Sequence, residues 1–103
     1  MDDLLELTMT FDFYGDLLTV RQKRIFELYY MDDYSLQEIA DNFSISKQAV
    51  SDQLAKVKIK LQRYEDRVGY INFYRRLEKI LVNVHENPAV SDEIKTQLKK
   101  LMA

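Results

Sequence analysis

The sequence predicts an all-α protein, and three observations predict it. Only two glycines and one proline occur in 103 residues, whereas sheet proteins use turn residues every few positions. Apolar residues recur three and four apart along most of the chain, the spacing that lines one face of a helix. At two places a Ser or Thr stands three residues before Gln or Glu, the reciprocal start signal of a helix. The length matches about one domain, so residues 1–103 are expected to form a single helical domain.

Taken in order, the first helix is expected over Leu4 to Leu18. Its inward residues are Leu5, Met9, Phe13 and Leu17, with Tyr14 and Leu18 beside them. Gly15 weakens it by roughly 1 kcal/mol relative to alanine. Thr19-Val-Arg-Gln22 opens a helix to about Met31, facing inward through Ile25, Leu28 and Tyr29 with Phe26 flanking. The tetrapeptide MDDY breaks it. Ser35-Leu-Gln-Glu38 opens a short helix to about Phe43, and Ser44-Ile45 forms a turn.

Ser46 then caps a long helix. Its apolar residues Val50, Leu54, Val57, Leu61, Tyr64, Val68 and Ile71 alternate spacings of four and three. That repeat is the seam of a helix packed along a partner helix, and the C-terminal helices are the expected partner. Ile59 lies opposite the seam. Gly69 ends or bends this helix. Another follows from Tyr70 to Glu86, with Phe73, Tyr74, Leu77, Leu81 and Val84 apolar. Asn87-Pro88 marks a loop. Ser91-Asp92 caps a last helix carrying Ile94, Leu98 and Leu101.

Residues 35–55 carry a more specific pattern. Two helices that cross closely need a small residue at the crossing, and Ala40 supplies it beside Ile39. The turn needs an inward apolar residue, and Ile45 fits. The later helix must return apolar residues to the earlier one, and Val50 and Leu54 do. Ile39, Ala40, Ile45, Val50 and Leu54 therefore form the core of a helix-turn-helix. The domain divides into a helix-turn-helix core, 19–64, and a C-terminal helical extension, 65–103.

The stretch "LLTVRQKRIFELYYMDDYSLQEIADNFSISKQAVSDQL" resembles the fourth conserved region of bacterial sigma factors. There, a helix opening on a pair like Arg21-Gln22 leads into the DNA-reading helix. The segments "FDFYGDLLTVRQ", "ELYYMDDYSLQEIA" and "SKQAVSDQL" are similar to the YlxM family of small DNA-binding proteins. The likeness covers Phe11 to Tyr64; the remainder agrees in length and helical character. It implies a sigma region 4-like helix-turn-helix fold and a regulatory role, or one within the signal recognition particle pathway, whose genes neighbour those of the family. Two positions depart from the pattern. Ser44 stands where the turn often has glycine, which tolerates positive φ better. Ser51, Asp52 and Gln53 stand where basic residues are common.

Charge is distributed unevenly. Residues 1–45 hold ten acids and three bases, net −7, whereas residues 46–63 hold one acid and five bases, net +4. A basic stripe on an acidic body, whose total is −2, is what a footprint on phosphate needs. With Val50 facing the core, Gln48 and Asp52 point outward at 100° per residue, with Lys47, Ser51 and Lys58 to one side and Lys56 to the other. Gln48 can pair with adenine, Asp52 can accept from cytosine, and Lys47 and Ser51 can reach guanine or phosphate. Lys56 and Lys58 are candidate phosphate contacts. Ser46 and the N–H groups after it can meet a phosphate. The simpler readings are solvated lysines, a cap at Ser46 and an Asp52–Lys56 pair along the helix.

Other function classes have little support. With no cysteine and one histidine, His85, a metal site is not expected; His85 instead suits a helix C-terminus. There is no glycine-rich phosphate loop. Asp2-Asp3 and Asp32-Asp33 are adjacent carboxylates at an end and in a loop, as solvated acids are. No enzyme activity and no cofactor are expected. No apolar run approaches the ~20 residues of a membrane span, and the acidic N-terminus is unlike a secretory signal, so the cytoplasm is the expected compartment and membrane insertion is not expected. The seven tyrosines read as amphipathic core-edge residues. Phe73, Tyr74, Leu77, Leu81 and Val84 are the expected homodimer interface. The functional expectation is a dimeric DNA-binding regulator. The alternative is an interaction module for protein or ribonucleoprotein of the secretion machinery, using the same scaffold without DNA contact.

Overall fold

The computed structural model describes residues 3–102; Asp2 of the Asp2-Asp3 pair lies outside them. Six helices and no strand occur among the described residues: α1 (Asp3–Tyr14), α2 (Val20–Tyr30), α3 (Leu36–Phe43), α4 (Lys47–Val68), α5 (Tyr70–Glu86) and α6 (Asp92–Met102). A 3-10 turn, Gly15–Leu17, follows α1. The chain forms two compact units, Met1–Gly69 and Tyr70–Ala103.

Each start signal works as its chemistry requires. Thr19 Oγ1 accepts from Gln22 N at 3.1 Å while Gln22 Oε1 accepts from Thr19 N at 3.3 Å. Ser35 and Glu38 repeat the exchange at 3.1 and 3.2 Å. Ser46 Oγ accepts from Ala49 N at 3.0 Å, and Ser91 Oγ from Ile94 N at 3.3 Å. These bonds satisfy N–H groups that helix starts leave open. Gly69 closes α4 at φ 67°, a left-handed conformation in which glycine has no Cβ to clash.

The turn between α3 and α4 is built the same way, but on serine. Ser44 sits at φ 55°, ψ 42°. Ser44 N donates back to Asp41 O at 3.4 Å and Ile45 N to Ala40 O at 3.0 Å. This paired back-bonding closes the helix and throws Ile45 inward next to Ala40. Ile25, Leu28, Ile39, Ala40, Val50 and Leu54 form one buried cluster, with Ile45, Phe43, Leu36 and three tyrosines (29, 30 and 34) packed around it. Ile39, Ala40, Val50 and Leu54 thus pack together with Ile45 against them, and α2 supplies the third wall.

The inward face of α1 differs from the expected one. Leu5, Phe13 and Leu17 are exposed, whereas Thr10, Phe11 and Tyr14 are buried, with Leu18 beyond. Apolar residues surround α1 on all sides, so spacing alone could not choose a face. Packing chose the one that carries Phe11, whose ring stacks on Phe26 at 4.1 Å and 12°. Gly15 permits this: a Cβ there would lie 3.2 Å from the Phe11 ring. Tyr14 Oη donates to Glu65 Oε1 at 2.7 Å. The buried Thr10 hydroxyl donates to Leu7 O at 2.7 Å, so its burial leaves no polar atom without a partner.

The seam of α4 also finds a different cover. Val50, Leu54, Val57 and Leu61 are buried, and α1 and α2 both pack along α4, where the sequence pattern points to the C-terminal helices. Val68, at the end of the repeat, is exposed. In the second unit Ile71 is the buried residue of α5, and α6 has none among the described residues.

Two outcomes follow from this packing. Ser44 carries the Cβ–carbonyl crowding of the left-handed region, about 1–2 kcal/mol, partly offset because glycine is freer when unfolded. Ser44→Gly should therefore raise unfolding stability in urea by about 0.5–1 kcal/mol, and Ser44→Val should lower it. At the surface, Lys23 donates to Asp16. That hydrogen bond, then the lysine's charge, holds the Asp16 carboxyl below its ordinary 3.8, and the same bond lifts Lys23 above 10.5. The Asp16 contribution to stability is present above the unfolded value and is lost as pH falls through the lowered folded value. The Lys23 contribution is present below its unfolded value and is lost as pH rises through the raised folded value. In Lys23→Ala, NMR titration of the Asp16 carboxyl should give a pKa moved upward toward the unperturbed one.

Candidate nucleic-acid interface

The same helix that seals the core presents the candidate face. Val50 and Leu54 are buried, while Ser46, Lys47, Gln48, Ser51, Asp52 and Lys56 on the first turns of α4 are exposed. The cap at Ser46 fixes where the helix begins, and the Val50 and Leu54 contacts fix its rotation. Together they determine that Gln48 and Asp52 point outward, with the exposed Lys47 and Ser51 to one side of them, as the 100° rule requires.

The electrostatics of this face differ from those of a plain basic stripe. Gln48 Nε2 donates to Asp52 Oδ1 at 2.9 Å, so Asp52 pairs one turn back with an amide, not forward with Lys56. The Lys47 and Lys56 ammonium groups have no hydrogen bond or ion pair among the described residues.

Two other lysines of the stripe turn back onto α2. Lys60 Nζ donates to Gln22 Oε1 at 3.1 Å, at the start of α2. Lys58 Nζ lies 5.6 Å from the centre of the Tyr30 ring, at its end, an arrangement in which the ring face attracts the cation. Lys58 also lines an open groove of about 400 Å³ with Asp3, Glu6, Leu7, Thr10 and Gln62. The structure thus brings Lys47, Gln48, Ser51 and Asp52 together and sets Lys58 apart from them.

Arg21 is a cation that the sequence reading left off the face. It is exposed on α2, with its guanidinium 5.4 Å from the centre of the Phe43 ring at the end of α3. Its place in the Arg21-Gln22 pair was the available signal. The tyrosines sit as core-edge residues: 29, 30 and 34 pack on the helix-turn-helix core, and Tyr14 and Tyr64 lie 6.0 Å apart.

In the second unit the expected interface residues are divided. Phe73 is exposed and lines a shallow groove with Arg76, Leu77 and Ile80. Tyr74 and Leu81 line a groove of about 240 Å³ between α5 and α6, with His85 in its wall. Leu77 and Val84 are half-buried. His85 stands in the last turn of α5. Among the described residues no helix is long and apolar enough to cross a membrane, and no cluster of three or more His, Cys, Asp or Glu could hold a metal ion.

Known proteins resemble this chain in sequence. The family model described as "UPF0122: Putative helix-turn-helix protein, YlxM / p13 like" matches residues 1–101. A UPF0122 protein of Caldanaerobacter subterraneus subsp. tengcongensis is 41% identical over 85 residues, 82% of this chain and 73% of the relative. One from Listeria monocytogenes is 36% identical over 93 residues, 90% and 84% of the two chains. One from Halalkalibacterium halodurans is 36% identical over 104 aligned positions, 98% and 95%. With a buried Ile39–Ala40–Val50–Leu54 core, Ile45 packed against it, and a match spanning almost every residue, the chain belongs to the UPF0122 family of YlxM-like helix-turn-helix proteins.

Proposed function

We propose that this protein is a cytoplasmic, non-enzymatic DNA-binding regulator that reads duplex DNA with the start of α4. One observation carries the reading: Lys47, Gln48, Ser51 and Asp52 stand exposed on the turns whose Val50 is sealed in the core. A recognition helix must be held rigidly by one side and offer the other to the major groove. Gln48, Ser51 and Asp52 then face base edges. Lys47 and Lys56 meet phosphates, together with Ser46 and the first N–H groups of the helix. Lys58 contributes only by leaving the Tyr30 ring. The likeness to YlxM proteins extends the proposal to service beside the signal recognition particle.

A second reading is an interaction module that keeps the scaffold and contacts a protein or ribonucleoprotein. Asp52 in the middle of the face and the net −7 of residues 1–45 favour it.

Few phosphate contacts per chain make pairing useful, since a second copy doubles them. We infer a homodimer through α5. Phe73 and Ile80, seven residues apart on one face, are 60% and 58% exposed with Leu77 between them. That heptad-like spacing supports helix pairing.

Fluorescence anisotropy on duplex DNA separates the two readings. With two or three phosphate contacts per chain, affinity should fall on the order of 10- to 40-fold between 50 and 200 mM salt for one bound chain, and on the order of 150- to 2,000-fold for a bound dimer. Lys47→Ala with Gln48→Ala should abolish binding while leaving helicity intact. Binding unchanged in that double variant would remove α4 as the reader. For pairing, sedimentation at micromolar concentration should give a dimer mass, and Phe73→Glu with Ile80→Glu should return the monomer.

A further inference from the structure

The hydrogen bond on the reading face limits which base it can accept. Gln48 Nε2 uses one of its two hydrogens on Asp52 Oδ1 at 2.9 Å. The side-chain amide keeps one N–H and its carbonyl oxygen, the combination that pairs with N7 and N6 of adenine. Asp52, ionised, has acceptors only, and its second oxygen can take a proton donor such as the N4 amine of cytosine. Guanine presents N7 and O6, both acceptors, to the major groove. Set against the Asp52 carboxylate, those atoms meet negative charge with no hydrogen between them. The same Gln-to-Asp spacing recurs at Gln37–Asp41 and Gln62–Asp66, each at 2.9 Å. Of the three, only the 48–52 pair lies on the exposed first turns of α4.

The geometry points to Asp52 as a specificity-determining residue: with Gln48 tied to it, the centre of the reading face admits adenine or cytosine on the contacted strand and excludes guanine. This rests on the DNA-reading proposal above and deepens it. Lys47, to one side of the pair, is left to meet guanine or phosphate at a neighbouring position. The acid that looks misplaced beside phosphate is then the element of negative selection, since specificity is often set by repulsion of the wrong partner.

The test is selection of bound duplexes from a random pool by the full chain and by Asp52→Asn, with circular dichroism confirming that the exposed substitution leaves the fold intact. Asparagine keeps the shape and an acceptor for Gln48, removes the charge and adds a donor that guanine can use. The wild-type pool should show guanine depleted about tenfold at one position of the contacted strand. Asp52→Asn should admit guanine there and leave the other positions as they were. A wild-type pool enriched for a site with no guanine depletion overturns this inference alone, as does depletion that persists in Asp52→Asn. Recovery of no enriched pool overturns both it and the DNA-reading proposal.

Discussion

Ser44, held left-handed at φ 55°, makes the bend on which the candidate interface depends. With the chain reversed there, the N–H groups of Ser44 and Ile45 return to the end of α3, and Ile45 is thrown inward beside Ala40. The helices α3 and α4 can then approach closely because Ala40 has almost no side chain at the contact. Val50 and Leu54 complete the contact from the other side. The rotation of α4 follows from those two residues, and with it the outward direction of Lys47, Gln48, Ser51 and Asp52. Relaxing the bend would loosen the core and the candidate face together.

The cost of the conformation, about 1–2 kcal/mol for a residue with a Cβ, is a large part of the stability of a small unit. It is offset by a cluster that is fully sealed. Ile25, Ile39 and Val50 have no exposed surface, and burying an aliphatic side chain of that size contributes about 1.5–3 kcal/mol before conformational entropy is counted. The Phe11–Phe26 stack ties α1 to α2. Because α2 also contributes Ile25 and Leu28 to the sealed cluster, α1, α2, α3 and α4 support one another within the first unit.

The basic stripe of α4 illustrates how charge is reassigned by folding. In the sequence, five bases over residues 46–63 read as a uniform phosphate footprint. In the structure, Lys58 and Lys60 reach the two ends of α2. The cations left on the first turns are Lys47 and Lys56, around a tied Gln48 and Asp52. That composition suits recognition through hydrogen-bond pattern more than bulk attraction to phosphate.

What the sequence determined by itself was local. Helix starts at Thr19, Ser35, Ser46 and Ser91 were legible because a cap needs only residues within one turn, and the ends of α5 were legible from the neighbouring Gly69 and Asn87-Pro88. The Ile39–Ala40–Ile45–Val50–Leu54 core was legible because its members lie close along the chain at spacings that a turn and two helices impose. Tertiary structure alone decided which side of α1 faces inward, since apolar residues lie on both sides and only distant partners, the Phe26 ring for Phe11 and Glu65 for Tyr14, distinguish them. It also decided that α1 and α2 cover the α4 seam, and that Lys58 and Lys60 point back while Lys47 points out. Each of those outcomes turns on a partner at least 15 residues away along the chain, and periodicity within one helix carries no information about such a partner.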